Sequence, residues 1–357
     1  GYGQALLDGG DPVKARAIFE ALLKEVPLKF VLESEEEGRM QGHSIAWFGL
    51  LAATHGLLGD LAGSERAMKR VVAVHRESAS WVLADQDHRI FNESAASSRA
   101  TVLDLMGKFA QAELEHRKAL DAMAPYRGWN LWLGVTREQL HRKEQQRRAQ
   151  LAINLSEQGR LPEAESEARA ALQAALETHG RYTVHSADML QSLGTIVFAE
   201  GRYEESEWLA RTNLASLSRM GVSKDSLLFV KTRVQLAESL VAMERWHEAL
   251  AEFEDVEMDL AGKPDTFVRL VAGNVGWGLA LLKAGRADDA RTAIAEAVRR
   301  TTALYGESHY SSAETHGFLA MTDAALGEGK RALEGFLRAM PVLLAEVGEG
   351  GGESKDV

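Results

Sequence analysis

Apolar residues along this chain return at i, i+3, i+4 and i+7, the spacing of one buried stripe on an α-helix. Leu190, Leu193 and Val197 make one such stripe; Leu236, Ala237 and Leu240 begin the next. Each run breaks at a glycine or polar turn, and a second amphipathic run follows. A small residue sits about five positions after the break. The clearest copies read Gly107-Lys108-Phe109-Ala110-Gln111-Ala112, Gly159-Arg160-Leu161-Pro162-Glu163-Ala164 and Gly285-Arg286-Ala287-Asp288-Asp289-Ala290. The small anchors fall at Ala15, Ser64, Ala112, Ala164, Ser206, Ala249, Ala290 and Ala332. Small side chains there allow two helices to cross closely, where a bulky one overpacks the crossing by roughly 1–3 kcal/mol. A pattern repeating at a fixed period predicts a stacked array of helix hairpins. Pro12 and Pro162 stand just inside predicted helix starts, where the missing N–H costs little. Pro27, Pro125 and Pro264 follow predicted helix ends, and Pro341 is expected to kink the last helix or start a new one.

The order of a bulky residue, Leu-Gly, an aromatic, then Ala, Phe, Ala and Pro resembles the tetratricopeptide repeat; Ala15, Phe19, Leu22 and Pro27 fall at that family's offsets. The resemblance implies an all-α fold, a right-handed superhelical solenoid of about eight helix-turn-helix tetratricopeptide-like repeats. Later anchors are spaced by 42, 43, 41 and 42 residues, against about 34 in the common form. The excess is one more turn per helix, which keeps the buried face in phase. This long form, with Tyr305-Gly306-Glu307-Ser308-His309 leading into a helix, resembles the kinesin-light-chain type. Earlier spacings of 49, 48 and 52 are less regular. Residues 1–125 are therefore expected to hold about three irregular repeats, 126–347 about five long ones, and 348–357 a flexible polar tail or linker. The interval from 112 to 164 has room for an extended or extra helix, with Trp129 and Trp132 closing a seam, and Glu33-Ser34-Glu35-Glu36-Glu37 reads as a solvated loop. With Ala15 as an anchor the chain starts inside a repeat, so the sequence reads as part of a longer polypeptide.

Composition narrows function mainly by exclusion. There is no cysteine, hence no disulfide, thiolate site or cysteine nucleophile in these residues. A net charge of −11 argues against general nucleic-acid binding and favours neutral or basic partners. No apolar run is long enough for a membrane span. The 11 histidines form no His-x-x-x-His or His-Glu-x-x-His pair, so no metal and no other cofactor is expected. Gly327-Glu328-Gly329 follows a helix rather than a strand and reads as a hairpin turn, not a dinucleotide loop. The basic run Arg137, His141, Arg142, Lys143, Arg147 and Arg148, interleaved with Glu138 and Glu144, reads as a solvated face with i,i+4 pairs, or as a docking patch for an acidic partner. No catalytic set of nucleophile, base and oxyanion donors emerges.

Stacked hairpins expose the first helix of each pair on an inner wall, the default surface for a protein or peptide partner. Expected wall positions are Asp188, Gln191, Thr195, Lys231, Gln235, Glu238, Asn274, Lys283 and Glu314. Phe198, Val241, Val275 and Leu282 are either apolar wall contacts or buried between long helices. Gln191-Ser192 stands where kinesin-light-chain repeats carry an Asn pair, a departure from that pattern. Three stretches, Leu193 to Tyr203, Ala272 to Leu282 and Ala313 to Met321, with Met340-Pro341-Val342-Leu343-Leu344 after them, resemble the repeats preceding CHAT domains in bacterial proteins. That resemblance implies a sensor or scaffold controlling an attached caspase-like protease; the lack of Cys suits cytosol and periplasm alike, and the bacterial cytoplasm is the expected compartment. The same architecture also serves other effectors, such as kinases, NTPases or transcription regulators, or a free-standing adaptor.

Overall fold

The computed structural model describes residues 12–24, 47–55, 60–78, 85–124 and 137–344. The acidic stretch at 33–38, Trp129, Trp132 and the tail at 348–357 lie outside these residues. The described residues are helical, with no strand among them. The chain divides into two compact units, Gly1–Ile196 and Val197–Val357.

The first unit contains α1 (Pro12–Lys24), α2 (47–55), α3 (Leu61–Ser78), α4 (Asp85–Leu105), α5 (Phe109–Met123), α6 (Arg137–Glu157), α7 (Leu161–His179) and most of α8 (Val184–Ala199). Helices α4 to α7 pack in sequence, each on the next. The second unit contains α9 (Tyr203–Arg219), α10 (Leu227–Ala242), α11 (Trp246–Asp259), a short α12 (Pro264–Phe267) running into a π-helical turn at Val268–Ala272, α13 (Val275–Lys283), α14 (Ala287–Tyr305), α15 (Tyr310–Ala325) and α16 (Gly329–Leu343). Its core is built from Leu236, Leu240, Phe253, Val256, Leu260 and Leu281, each at most 1% exposed. Each such side chain contributes roughly 1.5–3 kcal/mol on burial. Helix α16 continues past Pro341 to Leu343, so no new helix starts there.

One turn geometry generates the hairpins. Gly107, Gly159, Gly201, Gly285 and Gly327 have φ between 70° and 81°, the left-handed region that glycine enters without strain. The next residue then donates its N–H five residues back: Lys108 to Leu103 at 2.9 Å, Arg160 to Leu155 at 3.0 Å, Arg286 to Leu281 at 2.9 Å. This closes the first helix by the Schellman pattern. The same residue's carbonyl accepts from the anchor four positions on, as Ala164 N to Arg160 O at 3.0 Å, and starts the second helix. All eight anchors are buried, seven at 0% exposure and Ala332 at 5%. The close crossings appear directly. The Ser64 hydroxyl donates to the Ala52 carbonyl of the facing helix at 2.7 Å. A Cβ on Gly335 would stand 2.8 Å from the Ala320 Cβ.

The sixth turn carries Glu244 in place of glycine, at φ 60°. A side chain in that region costs about 1–2 kcal/mol, and glycine loses about 0.4–1 kcal/mol more on folding. Glu244→Gly is therefore expected to stabilise the second unit by about 0.5–1 kcal/mol, read as a higher denaturation midpoint at unchanged slope.

An arginine follows most of these turns and reaches two ways. Arg160 binds Glu163 of its own helix at 2.6 Å and Glu113 of the preceding hairpin at 2.7 Å. Arg245 binds Glu248 and Glu207, each at 2.7 Å. Arg286 binds Asp289 and Glu254, each at 2.8 Å. These are partly exposed contacts worth well under about 1 kcal/mol each; they fix register between hairpins more than they add stability.

Candidate functional site

In the second unit the first helices α10, α13 and α15 lie side by side, α13 touching both neighbours. Their starts are set by side-chain caps. Ser226 accepts from Phe229 N, Asn274 from Trp277 N, and His309 from Ser311 N. Helix α13 is short because the helical path is broken twice ahead of it, by the π turn and at Gly273-Asn274. Such π turns relieve local crowding and recur at functional positions. The apolar periodicity from Ala272 to Leu282 hides this break; the pattern Asn274-x-x-Trp277, a polar cap ahead of an apolar run, was the available signal.

The break shapes the wall. Asn274 is a cap rather than a mid-helix surface residue. Its Oδ1 accepts from the Trp277 N–H at 3.1 Å, and its Nδ2 donates to Glu238 Oε1 on α10 at 2.7 Å. The backbone donor thus fixes which way the amide points. Burial raises the pKa of the Glu238 carboxyl above its ordinary value, an effect only partly offset by the Asn274 bond. Glu314, exposed on α15, is also raised by desolvation. Lys231 is exposed on α10, seven residues before Glu238 and therefore about 10 Å along the helix. Lys283 lies 5.5 Å from the centre of the Trp246 ring, a cation–π contact. On α8, Gln191 Nε2 donates to Thr195 Oγ1 at 3.0 Å, and Asp188 is half-buried.

Gln235 is a correction. Expected on the outer surface of the wall, it is only 4% exposed, and its amide donates to Ser206 Oγ at 3.3 Å. The cause is the anchor. At Ser206 a hydroxyl replaces the usual methyl, and Gln235 and Ser239 supply the polar neighbours it needs, Ser239 Oγ at 3.0 Å. Val241 is buried in the core, whereas Val275 and Leu282 are half-buried, so burial accounts for Val241.

The basic run on α6 is not simply solvated. Arg142–Glu138 and Arg148–Glu144 are i,i+4 pairs, but Lys143 and Arg147 converge on Glu93 of α4 at 2.9 and 2.7 Å. Burial alone would raise the Glu93 pKa; Arg147 and Lys143 overcome that and lower it to about 2. This is a structural clamp inside the first unit. Nearby, His185 Nε2 donates to Gln145 Oε1 at 2.6 Å, and burial, with the His179 ring and Arg142, lowers its pKa to about 4. Among the described residues no group of three or more His, Asp or Glu is arranged to hold a metal ion.

An open groove of about 1160 Å³ lies beside the helix break, with Phe267 and Trp277 stacked edge to face at 5.4 Å. Its rim is charged, but Arg286 is held by Asp289 and Glu254, and Arg299 by Glu296. Its arginines are thus committed to neighbouring acids.

Helix hairpins with a small-residue crossing and a glycine turn define a tetratricopeptide-type scaffold, and residues 275–341 match the tetratricopeptide repeat family. Among solved structures, the chain is similar to a Rap protein complexed with competence and sporulation factor, with 13% identity over 96% of this chain and 95% of that one, TM-score 0.56. A Rap conjugation gene regulator of the plasmid pLS20, in complex with the Phr* peptide, is 18% identical over 87% and 77%, TM-score 0.56. Aspartyl phosphate phosphatase F from Bacillus subtilis is 12% identical over 90% and 76%, TM-score 0.56. At these identities the likeness is one of fold. No curated protein matches the chain by sequence. No helix among the described residues is long and apolar enough to cross a membrane.

Proposed function

We propose that this chain is a non-enzymatic regulatory scaffold that receives a peptide or a protein segment on the wall formed by α10, α13 and α15. One observation carries the reading: Asn274 and Glu238, polar side chains on adjacent first helices, are locked in a single orientation at 2.7 Å, with part of the Glu238 side chain open to solvent. Preorganised polar groups between apolar flanks are what an extended peptide requires. One of the similar structures is a complex with a peptide, which supports the same use of a like fold. The effector under control is proposed to be a caspase-like CHAT protease carried by the same polypeptide, on the strength of the sequence resemblance at 193–203, 272–282 and 313–321. Asp188, Gln191 and Thr195 are proposed as wall positions of the first unit.

The test is direct binding. Peptides selected from a random decapeptide library on the purified chain are expected to bind with micromolar or better affinity. Lys231→Glu, which leaves the helical signal intact, is expected to change that affinity at least fivefold. Unchanged binding would move the site off this wall.

A further inference from the structure

We propose that Glu238 is the cation-receiving point of this wall, and that the ligand it selects is a peptide presenting one positive charge, a lysine or arginine side chain or a free amino terminus. The inference rests on the peptide-binding reading above and names the chemistry of its ligand.

The acids of the second unit that are withdrawn from water almost all meet an arginine. Glu207 meets Arg245 and Arg211, and Glu252 and Asp259 meet Arg233. Glu296 meets Arg299 and Arg300, and Asp323 meets Arg291. Glu238 has an amide instead. Asn274 donates one hydrogen bond and no charge, so a carboxylate here keeps its negative charge uncompensated. Of the cations on α10, in the turn after it and on α13, Arg233 is committed to Asp255 and Asp259, Arg245 to Glu207 and Glu248, and Lys283 to the Trp246 ring, while Lys231 stands about 10 Å along the helix. The raised pKa of Glu238 reports the same deficit, since burial is its dominant cause and no basic group acts on it.

Two features make the carboxyl reachable and directed. Asn274 holds one oxygen and is itself fixed by the Trp277 N–H, so the other oxygen keeps a constant bearing. Gly276, in the first turn of α13, faces it; a Cβ there would already stand 3.6 Å from Glu238 Cγ and 3.7 Å from Val241 Cγ2. That Cβ would also stand 3.0 Å from Asn274 Oδ1, so any longer side chain at 276 would crowd the Asn274–Glu238 pair, which glycine leaves undisturbed. An arriving ammonium or guanidinium would form a charge-assisted hydrogen bond to an acceptor already oriented and partly desolvated. Glu314 on the adjoining first helix, also without a basic partner acting on it, adds to the negative character of the wall.

The experiment uses the full chain and two decapeptide libraries, one with free amino termini and one N-acetylated. Binders from the acetylated library are expected to concentrate Lys or Arg at one position. Replacing that residue by acetyl-lysine or citrulline should weaken binding to the wild-type chain at least tenfold. Glu238→Gln keeps the shape and the acceptor for Asn274; it should weaken the basic peptide by a similar factor and leave the neutralised peptide within twofold. If binders come only from the free-amine library and lose affinity on acetylation, the ammonium is terminal and the assignment stands. Peptides that bind without any cation, or that bind the Glu238→Gln chain as they bind the wild type, overturn it while the wall remains a peptide site. Libraries without a binder overturn both readings. The acetyl-lysine and citrulline comparison is made on the unaltered chain and does not depend on a variant folding.

Discussion

Glu93→Ala is expected to destabilise the first unit by about 1–3 kcal/mol, since it takes away the buried acceptor that two partly exposed cations share. Glu93 is 2% exposed on α4, and Lys143 and Arg147 reach it from α6. Deleting the carboxylate leaves Arg147, 17% exposed, and Lys143, 36% exposed, facing each other without the acceptor they share. The pH dependence follows from the same pair. The folded pKa, about 2, lies below the ordinary glutamate value of 4.5. The stabilisation is therefore complete above about pH 4.5 and disappears as the pH falls towards 2. Urea unfolding of the wild type and of Glu93→Gln across that window should converge at the acid end. Parallel curves would mean that the clamp contributes nothing.

The second large effect is expected at the crossings. Ala249→Leu should cost the second unit about 1–3 kcal/mol or more. The anchor is 0% exposed and surrounded by the core that contains Leu240 and Phe253. Three added carbons have nowhere to go unless α10 and α11 separate, which would also pull Arg233 from Asp259, now at 2.9 Å. A chemical-denaturation midpoint for this variant equal to that of the wild type would show that the anchors do not set the crossing distance. Surface alanines such as Ala251, two positions on, should accept leucine with little change.

Much of the fold was legible because its determinants are local. A left-handed glycine, an anchor five positions later and one apolar stripe per helix are all short-range features, and every anchor was found buried. What escaped is long-range or masked by continuity. The Glu93 clamp joins residues about fifty positions apart, and nothing near Glu93 in the sequence marks it for burial. The break before α13 is silent because Val271, Val275 and Leu279 continue the apolar rhythm through it. On the wall, Asn274 and Glu238 were recognised as surface candidates, but their mutual bond depends on the broken path of α12 and the π turn. Gln235 was placed outside because its period fits a surface row; the hydroxyl of Ser206 draws it inward.

The two-way arginines have a consequence for how such a chain changes its length. The hairpin around Ala249 carries a guanidinium at its turn, Arg245, and on its second helix a carboxylate, Glu254, for the arginine that follows. A hairpin copied whole by gene duplication arrives with both halves of the clasp and mates with its neighbours at once. An insertion of any other size strands one half. Where both halves of the clasp are present, an array of this kind would be expected to grow or shrink by complete hairpins.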